Sequence, residues 1–255
     1  MNSLLTIAHS APERKINMKS YKTNARLFAD ARQALLGHLN VAVWSLLLIT
    51  AITVLLAQFS ASFHFSNKYL GLTASLAARF LSALIISLFG VGVSSVFLNL
   101  QYRQPASVGN LLAGFLENSD TCIRVRFFIT AGEYVSLLPL QLFLYIIPED
   151  SFKEFLPVTI VLGAACLISY LMWTLTFSMA NFLLLDFPDE DAHRILRASF
   201  HMMQGNKFRL FMLYLRLLPL HLLGLFSFGL ANIWTGCCHH ACTAAFYKDM
   251  MTAER

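Results

Sequence analysis

The chain has 255 residues, of which 57% are hydrophobic and only 13% charged, and its mean hydropathy is +0.60. Soluble domains carry roughly 25% charged residues, so this composition lacks the polar surface of a water-soluble body and indicates an integral membrane protein. The formal net charge of +5 is distributed among loops, which argues against nucleic acid as a partner.

The N-terminal residues do not make a convincing signal peptide, because the apolar run at residues 4–8 is short and the basic residues follow it. We predict a disordered N-terminal arm over residues 1–20, one transmembrane domain over 21–250 and a cytoplasmic tail over 251–255. The sequence leaves open whether translation starts at Met1 or Met18.

Six apolar runs are long enough for membrane-spanning helices, which need about 20 residues each. They cover residues 39–59, 78–100, 127–147, 158–185, 208–226 and 228–247. The sixth run is the least hydrophobic, so a five-span topology stays open as an alternative. The predicted fold is all-α, a polytopic bundle of six transmembrane helices.

Lys and Arg residues alternate between rich and poor loops along the chain. A six-span topology places 15 of them on one side and two on the other. Because cytoplasmic loops carry the excess of positive charge, we predict a multi-pass protein of the bacterial inner (plasma) membrane with both termini in the cytoplasm. The N-terminal cations are also candidates for contact with anionic lipid: Arg14, Lys15, Lys19, Lys22, Arg26 and Arg32.

Three cytoplasmic segments have apolar residues at helical spacing, and we predict short amphipathic helices at the interface there. Such a helix would be an elbow that leads the chain into the next span, with lipid or partner binding as the alternative. The first ends at Gly37, the second follows a candidate N-cap at Ser107, and the third ends at Gly205. Their apolar positions are Leu27, Phe28, Ala31, Leu35 and Leu36; Val108, Leu111, Leu112, Phe115 and Leu116; and Ala192, Ile195, Leu196, Ser199, Met202 and Met203.

Acidic residues precede the third elbow, where we expect them to cap the helix and complement its dipole. A cation site is the alternative for this group, which comprises Asp186, Asp189, Glu190 and Asp191. On the second span, Gly90 and Ser94 form a pattern of small residues typical of close helix packing.

The third and fifth spans share a pattern, in which Tyr134 precedes Pro139 by the same interval that separates Tyr214 from Pro219. A duplicated unit of elbow, span and return span would explain it, as would coincidence in Leu-rich runs. We predict helix kinks at Pro139 and Pro219, because a proline removes a backbone hydrogen bond inside a helix.

Glu133 and Arg216 lie at similar depths in the third and fifth spans. Since charges inside a bilayer are costly unless paired, we predict an intramembrane polar pair between them. Such a pair would lock the two spans together, and a proton or substrate relay is the alternative.

The five cysteines are odd in number and lie in or beside apolar runs, so they are expected to be buried apolar residues rather than a disulfide framework. A group on the sixth run has the composition of a metal site, and it comprises Cys237, Cys238, His239, His240 and Cys242. However, no second cluster of ligands accompanies them, and we predict neither a metal nor another cofactor.

The most distinctive part of the chain is residues 177–250. It contains the runs FSMANF from Phe177, DFPD from Asp186, ASFHMMQGNKFRLF from Ala198 and AAFYKD from Ala244, and ARQALLGH from Ala31 precedes them. This pattern resembles a bacterial integral-membrane family catalogued as domain of unknown function 975, which is itself distantly similar to the membrane domain of glycerophosphodiester phosphodiesterases. The resemblance implies a multi-helix membrane protein and no established activity. The chain departs from the family pattern at 217–219 and 237–240.

Known catalytic signatures such as Walker A, His-Glu-x-x-His and Gly-x-Ser-x-Gly are missing from the sequence. We therefore predict a non-enzymatic membrane component that binds lipid, another membrane protein or a second copy of itself. The alternative is a small transporter or exporter with a polar path near Glu133 and Arg216, and an intramembrane enzyme is a third hypothesis.

Overall fold

The structure is a computed structural model that describes residues 21–62, 68–116, 118–147, 152–226 and 230–253. Every regular element in these ranges is helical, which confirms the all-α class. The elements are α1 (Asn24–Leu35), α2 (Leu39–Ala61), α3 (Lys68–Gln101), a 3-10 helix (Val108–Leu112), α4 (Ala113–Leu116), α5 (Ser119–Ile146), α6 (Phe152–Phe177), α7 (Ala180–Asp186), α8 (Ala192–Met203), α9 (Lys207–Phe226) and α10 (Leu230–Ala253).

Four helical segments of the described chain are long and apolar enough to cross a membrane. They are Leu39–Ser60, Thr73–Gln101, Ser119–Ile146 and Phe155–Asp186, the last of which combines α6 and α7. These segments correspond to the first four predicted spans. Helices α9 and α10 occupy the positions of the fifth and sixth but are not among the four, so the six-span topology stays a prediction.

The central helix of the bundle is α3. In its most apolar 18-residue window, 56% of the residues are buried by the rest of the chain, against 17% in α2, 11% in α5 and 6% in the segment Phe155–Asp186. Large apolar side chains therefore cover the outside of these three helices, including Leu55, Val135, Val161 and Ile168, each more than 60% exposed. In water this surface would be unfavourable by about 25 cal/mol for each Å², so it fits contact with lipid.

Consecutive long helices pack in antiparallel pairs. In the α5–α6 pair, the indole Nε1 of Trp173 donates to the carbonyl of Ile129 over 3.0 Å. In the α9–α10 pair, the rings of Tyr214 and His239 stack with their centroids 4.6 Å apart.

Helix α10 runs parallel to α3. Phe97 stacks on His240 at 5.3 Å, and one turn further along α3 the ammonium of Lys248 donates to the carbonyl of Gln101 over 2.8 Å. The carboxyl ends of α3 and α10 therefore lie at the same end of the bundle.

The first and third predicted elbows are helices, α1 and α8. Helix α1 buries Leu27, Ala31 and Leu35, and α8 buries the face predicted for it, including Ile195 and Ser199. Each helix is followed by a glycine with positive φ, +87° at Gly37 and +81° at Gly205. This left-handed conformation favours glycine and turns the chain into the next long helix.

The second predicted elbow has a different structure. A five-residue 3-10 helix and the four-residue α4 replace the regular amphipathic helix. Ser107 occupies the N-cap position, but its hydroxyl contacts Asn110 Oδ1 at 2.8 Å instead of capping the backbone. Leu111 is buried as predicted, whereas Leu112 and Leu116 are exposed.

This segment packs against the side of α3, at Gly92. A Cβ atom added to Gly92 would lie 2.0 Å from the carbonyl oxygen of Leu111, and one added to Gly114 would lie 2.5 Å from that of Leu88. Gly92 precedes the last residue of α3 by nine positions, or about 14 Å at 1.5 Å per residue. We predicted this close approach at Gly90, but a Cβ atom added there would meet nothing within 4 Å. The close approach lies two residues further along α3, at Gly92.

Candidate functional site

A buried ion pair connects the start of α9 to the end of α10. The guanidinium of Arg209 donates to the carboxylate of Asp249, and their side chains are 18% and 6% exposed. Arg209 also donates to the carbonyl of Lys22 over 3.0 Å, and the backbone N–H of Lys22 donates to Asp249 over 3.2 Å. The ion pair thereby fixes the segment that precedes α1.

Two aromatic rings enclose the same guanidinium. The Cζ atom of Arg209 lies 4.6 Å from the ring centroid of Tyr21 and 4.7 Å from that of Phe246. Arginine suits this position, because its planar, weakly hydrated cation stacks on aromatic faces while it pairs with a carboxylate.

A second polar contact joins α7 to α10. The hydroxyl of Tyr247 donates to Asp186 over 2.6 Å, and its ring stacks on Phe182 at 5.0 Å. Asp186 was predicted to cap the helix that follows, but its carboxylate is engaged with α10. The N-cap position of α8 is Asp191, which makes no side-chain capping bond, and Glu190 pairs with Arg194 at 3.1 Å.

A cavity of about 600 Å³ lies beside the Arg209–Asp249 pair, at the shared end of α1, α3 and α10. It is lined by Lys22, Asp30, Gln33, Ala34, Leu36, His38, Leu100, Gln101, Arg103, Gln104, Ala245, Lys248, Asp249 and Thr252. Partial loss of hydration and the like charges of Lys22 and Arg103 lower the pKa of Lys248, although the charge of Asp30 acts in the opposite direction.

A partly buried chain of polar side chains joins α5, α7 and α3. Arg126 Nη1 donates to Asn181 Oδ1 over 3.1 Å, and Asn181 Nδ2 donates to Ser94 over 3.4 Å. Arg126 Nε is buried without a hydrogen-bond partner among the described residues. Glu133 lies seven positions, or about two turns, further along α5.

The structure places Glu133 half-buried on α5 and Arg216 exposed on α9. Ion pairs within 4.0 Å among the described residues join Lys22 to Asp30, Arg194 to Glu190 and Arg209 to Asp249. Glu133 and Arg216 are not among these pairs, and their pairing stays a prediction. Pro139 and Pro219 lie inside α5 and α9, which continue on both sides of them, and the predicted kinks are not tested.

The predicted lipid-contacting cations are only partly within the described chain. Arg14, Lys15 and Lys19 lie outside the described residues. Arg26 and Arg32 are exposed on α1, and Lys22 pairs with Asp30 at 2.7 Å.

The cysteine and histidine residues of α10 pack against apolar and aromatic neighbours. Cys237 and Cys242 are buried. The ring centroid of His239 lies 4.6 Å from that of Tyr214 and 5.9 Å from that of His221. Among the described residues, no three His, Cys, Asp or Glu side chains are arranged to hold a metal ion.

The family model for proteins of unknown function, DUF975, matches residues 18–254. The chain belongs to this family. Some of the runs that carry the resemblance meet one another in the fold, because Asp186 contacts Tyr247 and Arg209 contacts Asp249. No curated protein and no solved structure matches the chain.

Sequence reasoning missed the pairing of Arg209 with Asp249 and the position of Gln101 at the cavity. Arg209 and Lys248 were only two of the 15 cations that the six-span topology places on one side of the membrane. A usable signal was present, because Arg209 and Asp249 both fall in runs that distinguish this family.

Proposed function

We propose that this protein is a six-span component of the bacterial inner membrane, with both termini in the cytoplasm, that binds lipid or a protein partner and performs no catalysis. The supporting observation is that three of its membrane-capable helices are mostly uncovered, since only 17%, 11% and 6% of the residues in their apolar windows are buried. Faces that the chain itself leaves uncovered need lipid or another membrane protein as their neighbour.

An even number of spans is supported by the directions of the helices. Helices α9 and α10 form an antiparallel pair that returns the chain to the carboxyl end of α3, where Lys248 meets Gln101. The exposed cations of α1 and Arg103 lie at the same end. By the positive-inside rule this end faces the cytoplasm.

Labelling of single cysteines tests the orientation. We expect an impermeant maleimide to label Lys153→Cys in intact cells and Arg197→Cys only after lysis, in a background in which the five native cysteines are replaced by alanine. Arg194→Cys is a second site for the inner face. Equal labelling of positions 153 and 197 in intact cells would contradict the topology.

A protein partner or a second copy is supported by Arg216, which is exposed on the apolar helix α9. A charged side chain in contact with lipid tails costs at least about 2.5 kcal/mol on insertion scales, and a polar partner would remove this cost. A distant relationship to the membrane domain of glycerophosphodiester phosphodiesterases is also part of the proposal, and its support is the sequence resemblance alone.

The alternative of a small transporter is favoured by Arg126, a half-buried cation within a membrane-capable helix. Residues of this kind line substrate and ion pathways in other proteins. Pro139 and Pro219 would break the lining helices.

Reconstitution separates the two functions. For a binding component we expect proteoliposomes to be as impermeable to protons and small anions as protein-free vesicles, while mass spectrometry finds lipid retained on the purified protein. Flux that Glu133→Gln abolishes and Glu133→Asp retains would establish the transporter instead. Loss of folding in both Glu133→Gln and Arg216→Gln would favour the structural role of that pair.

A further inference from the structure

The cavity between α1, α3 and α10 has the dimensions of a ligand site. Its volume of about 600 Å³ lies within the range of roughly 300–1,000 Å³ typical of small-molecule pockets. It is also placed at the end of the bundle where a lipid headgroup or a cytoplasmic solute could enter.

The charges around this cavity are not balanced. Both carboxylates in its wall already have cationic partners, since Asp249 pairs with Arg209 and Asp30 with Lys22. Arg103 and Lys248 have no carboxylate within 4.0 Å among the described residues. Lys248 gives one hydrogen bond to the carbonyl of Gln101 and lies 5.0 Å from the ring centroid of Tyr102, which leaves donors for a bound anion.

Gln101 supplies an independent sign of a ligand. Gln101 is one of the residues that line the cavity, it is only 9% exposed, and its Oε1 atom is buried without a hydrogen-bond partner among the described residues. Buried polar atoms are rarely left unpaired, because an atom that loses its hydration without gaining a hydrogen bond destabilises the fold. A hydroxyl group next to an anionic group would satisfy the amide while the anion meets Lys248 and Arg103.

We propose that this cavity binds a phosphate ester that carries a free hydroxyl, with Lys248 and Arg103 contacting the phosphate and the Gln101 amide contacting the hydroxyl. The ligand is either the headgroup of an anionic phospholipid or a soluble phosphate compound. The lipid source deepens and rests on the proposed membrane function, whereas the soluble source is independent of it.

Two binding measurements on the purified full chain distinguish these sources. In the first, native mass spectrometry follows the retention of phosphatidylglycerol, with phosphatidylcholine as the reference lipid. In the second, calorimetry follows the binding of inorganic phosphate. We expect Arg103→Gln and Lys248→Gln each to weaken the binding at least about tenfold, because each removes a charge-assisted hydrogen bond to the phosphate. Arg197→Gln, which removes an exposed cation outside the cavity, is the matched control.

Each outcome decides the proposal. Loss of phosphatidylglycerol retention in Arg103→Gln but not in Arg197→Gln supports the lipid source, and loss of phosphate binding with the same pattern supports the soluble source. Because Arg103 is exposed, its variant is expected to fold even if Lys248→Gln does not. Equal binding by Arg103→Gln and wild type, or no binding in either measurement, would overturn the site. If lipid is retained equally by all variants, this site fails while lipid binding by the protein stands.

Discussion

Asp249→Asn is expected to lower the free energy of unfolding by about 3–5 kcal/mol, which is the typical loss when one partner of a buried ion pair is removed. The guanidinium of Arg209 would keep its charge between Tyr21 and Phe246 without a counter-ion. Unfolding by sodium dodecyl sulphate, followed by circular dichroism in mixed micelles, measures the change.

Asp30→Asn is the matched control for this substitution. It removes the same carboxylate from an ion pair whose side chains are 48% and 32% exposed, and such pairs contribute at most about 1 kcal/mol. The double variant Arg209→Gln with Asp249→Asn should recover part of the loss, because it removes the unpaired charge. A loss for Asp249→Asn no larger than that for Asp30→Asn would show that the buried pair does not hold α9, α10 and the N-terminal segment together.

Local patterns in the sequence predicted the elements whose structure depends on local spacing. Leu27, Ala31 and Leu35 recur at helical intervals, and all three are buried on α1. Gly37 and Gly205 were expected to end their helices and do so with positive φ. In these elements the buried face is set by residues three or four positions apart, which a single sequence displays directly.

Contacts between distant segments could not be predicted in this way. The pairing of Glu133 with Arg216 was inferred from equal depth and stays a prediction, because depth along a helix does not by itself determine which helices are neighbours. Arg209 and Asp249 are separated by 40 positions, and only the packing of α9 against α10 brings them together. Gln101 likewise lines a cavity only because α1 and α10 pack beside the end of α3, and these helices are far from it in the sequence.

The prediction of a regular amphipathic helix at the second elbow was wrong for a related physical reason. Its apolar spacing fits an amphipathic helix, yet the backbone at Leu111 approaches α3 so closely that only glycine fits at position 92. Tertiary packing overrode local periodicity there, and a 3-10 helix with α4 took the place of a regular helix. The pattern of small residues predicted close packing on α3 at Gly90, whereas the structure has it at Gly92.

Gly92→Ala is expected to destabilise the protein by about 3 kcal/mol, near the upper end of the usual cost of overpacking a core. The new methyl group would lie 2.0 Å from the carbonyl oxygen of Leu111. Because this obstacle is backbone, no change of side-chain rotamer can relieve it. The 3-10 helix would have to move away from α3, the most deeply buried of the membrane-capable helices.

Gly90→Ala, two residues away on the same helix, is expected to stabilise the protein instead of destabilising it. Its methyl group would meet nothing within 4 Å, so the gain in helix propensity should stabilise α3 by about 0.5–1 kcal/mol. Unfolding of both variants in the same mixed micelles therefore compares two identical substitutions that are expected to differ in sign. If Gly92→Ala were as stable as Gly90→Ala, the 3-10 helix could not lie on α3, and the second elbow would have to return to the interface that its amphipathic pattern predicts.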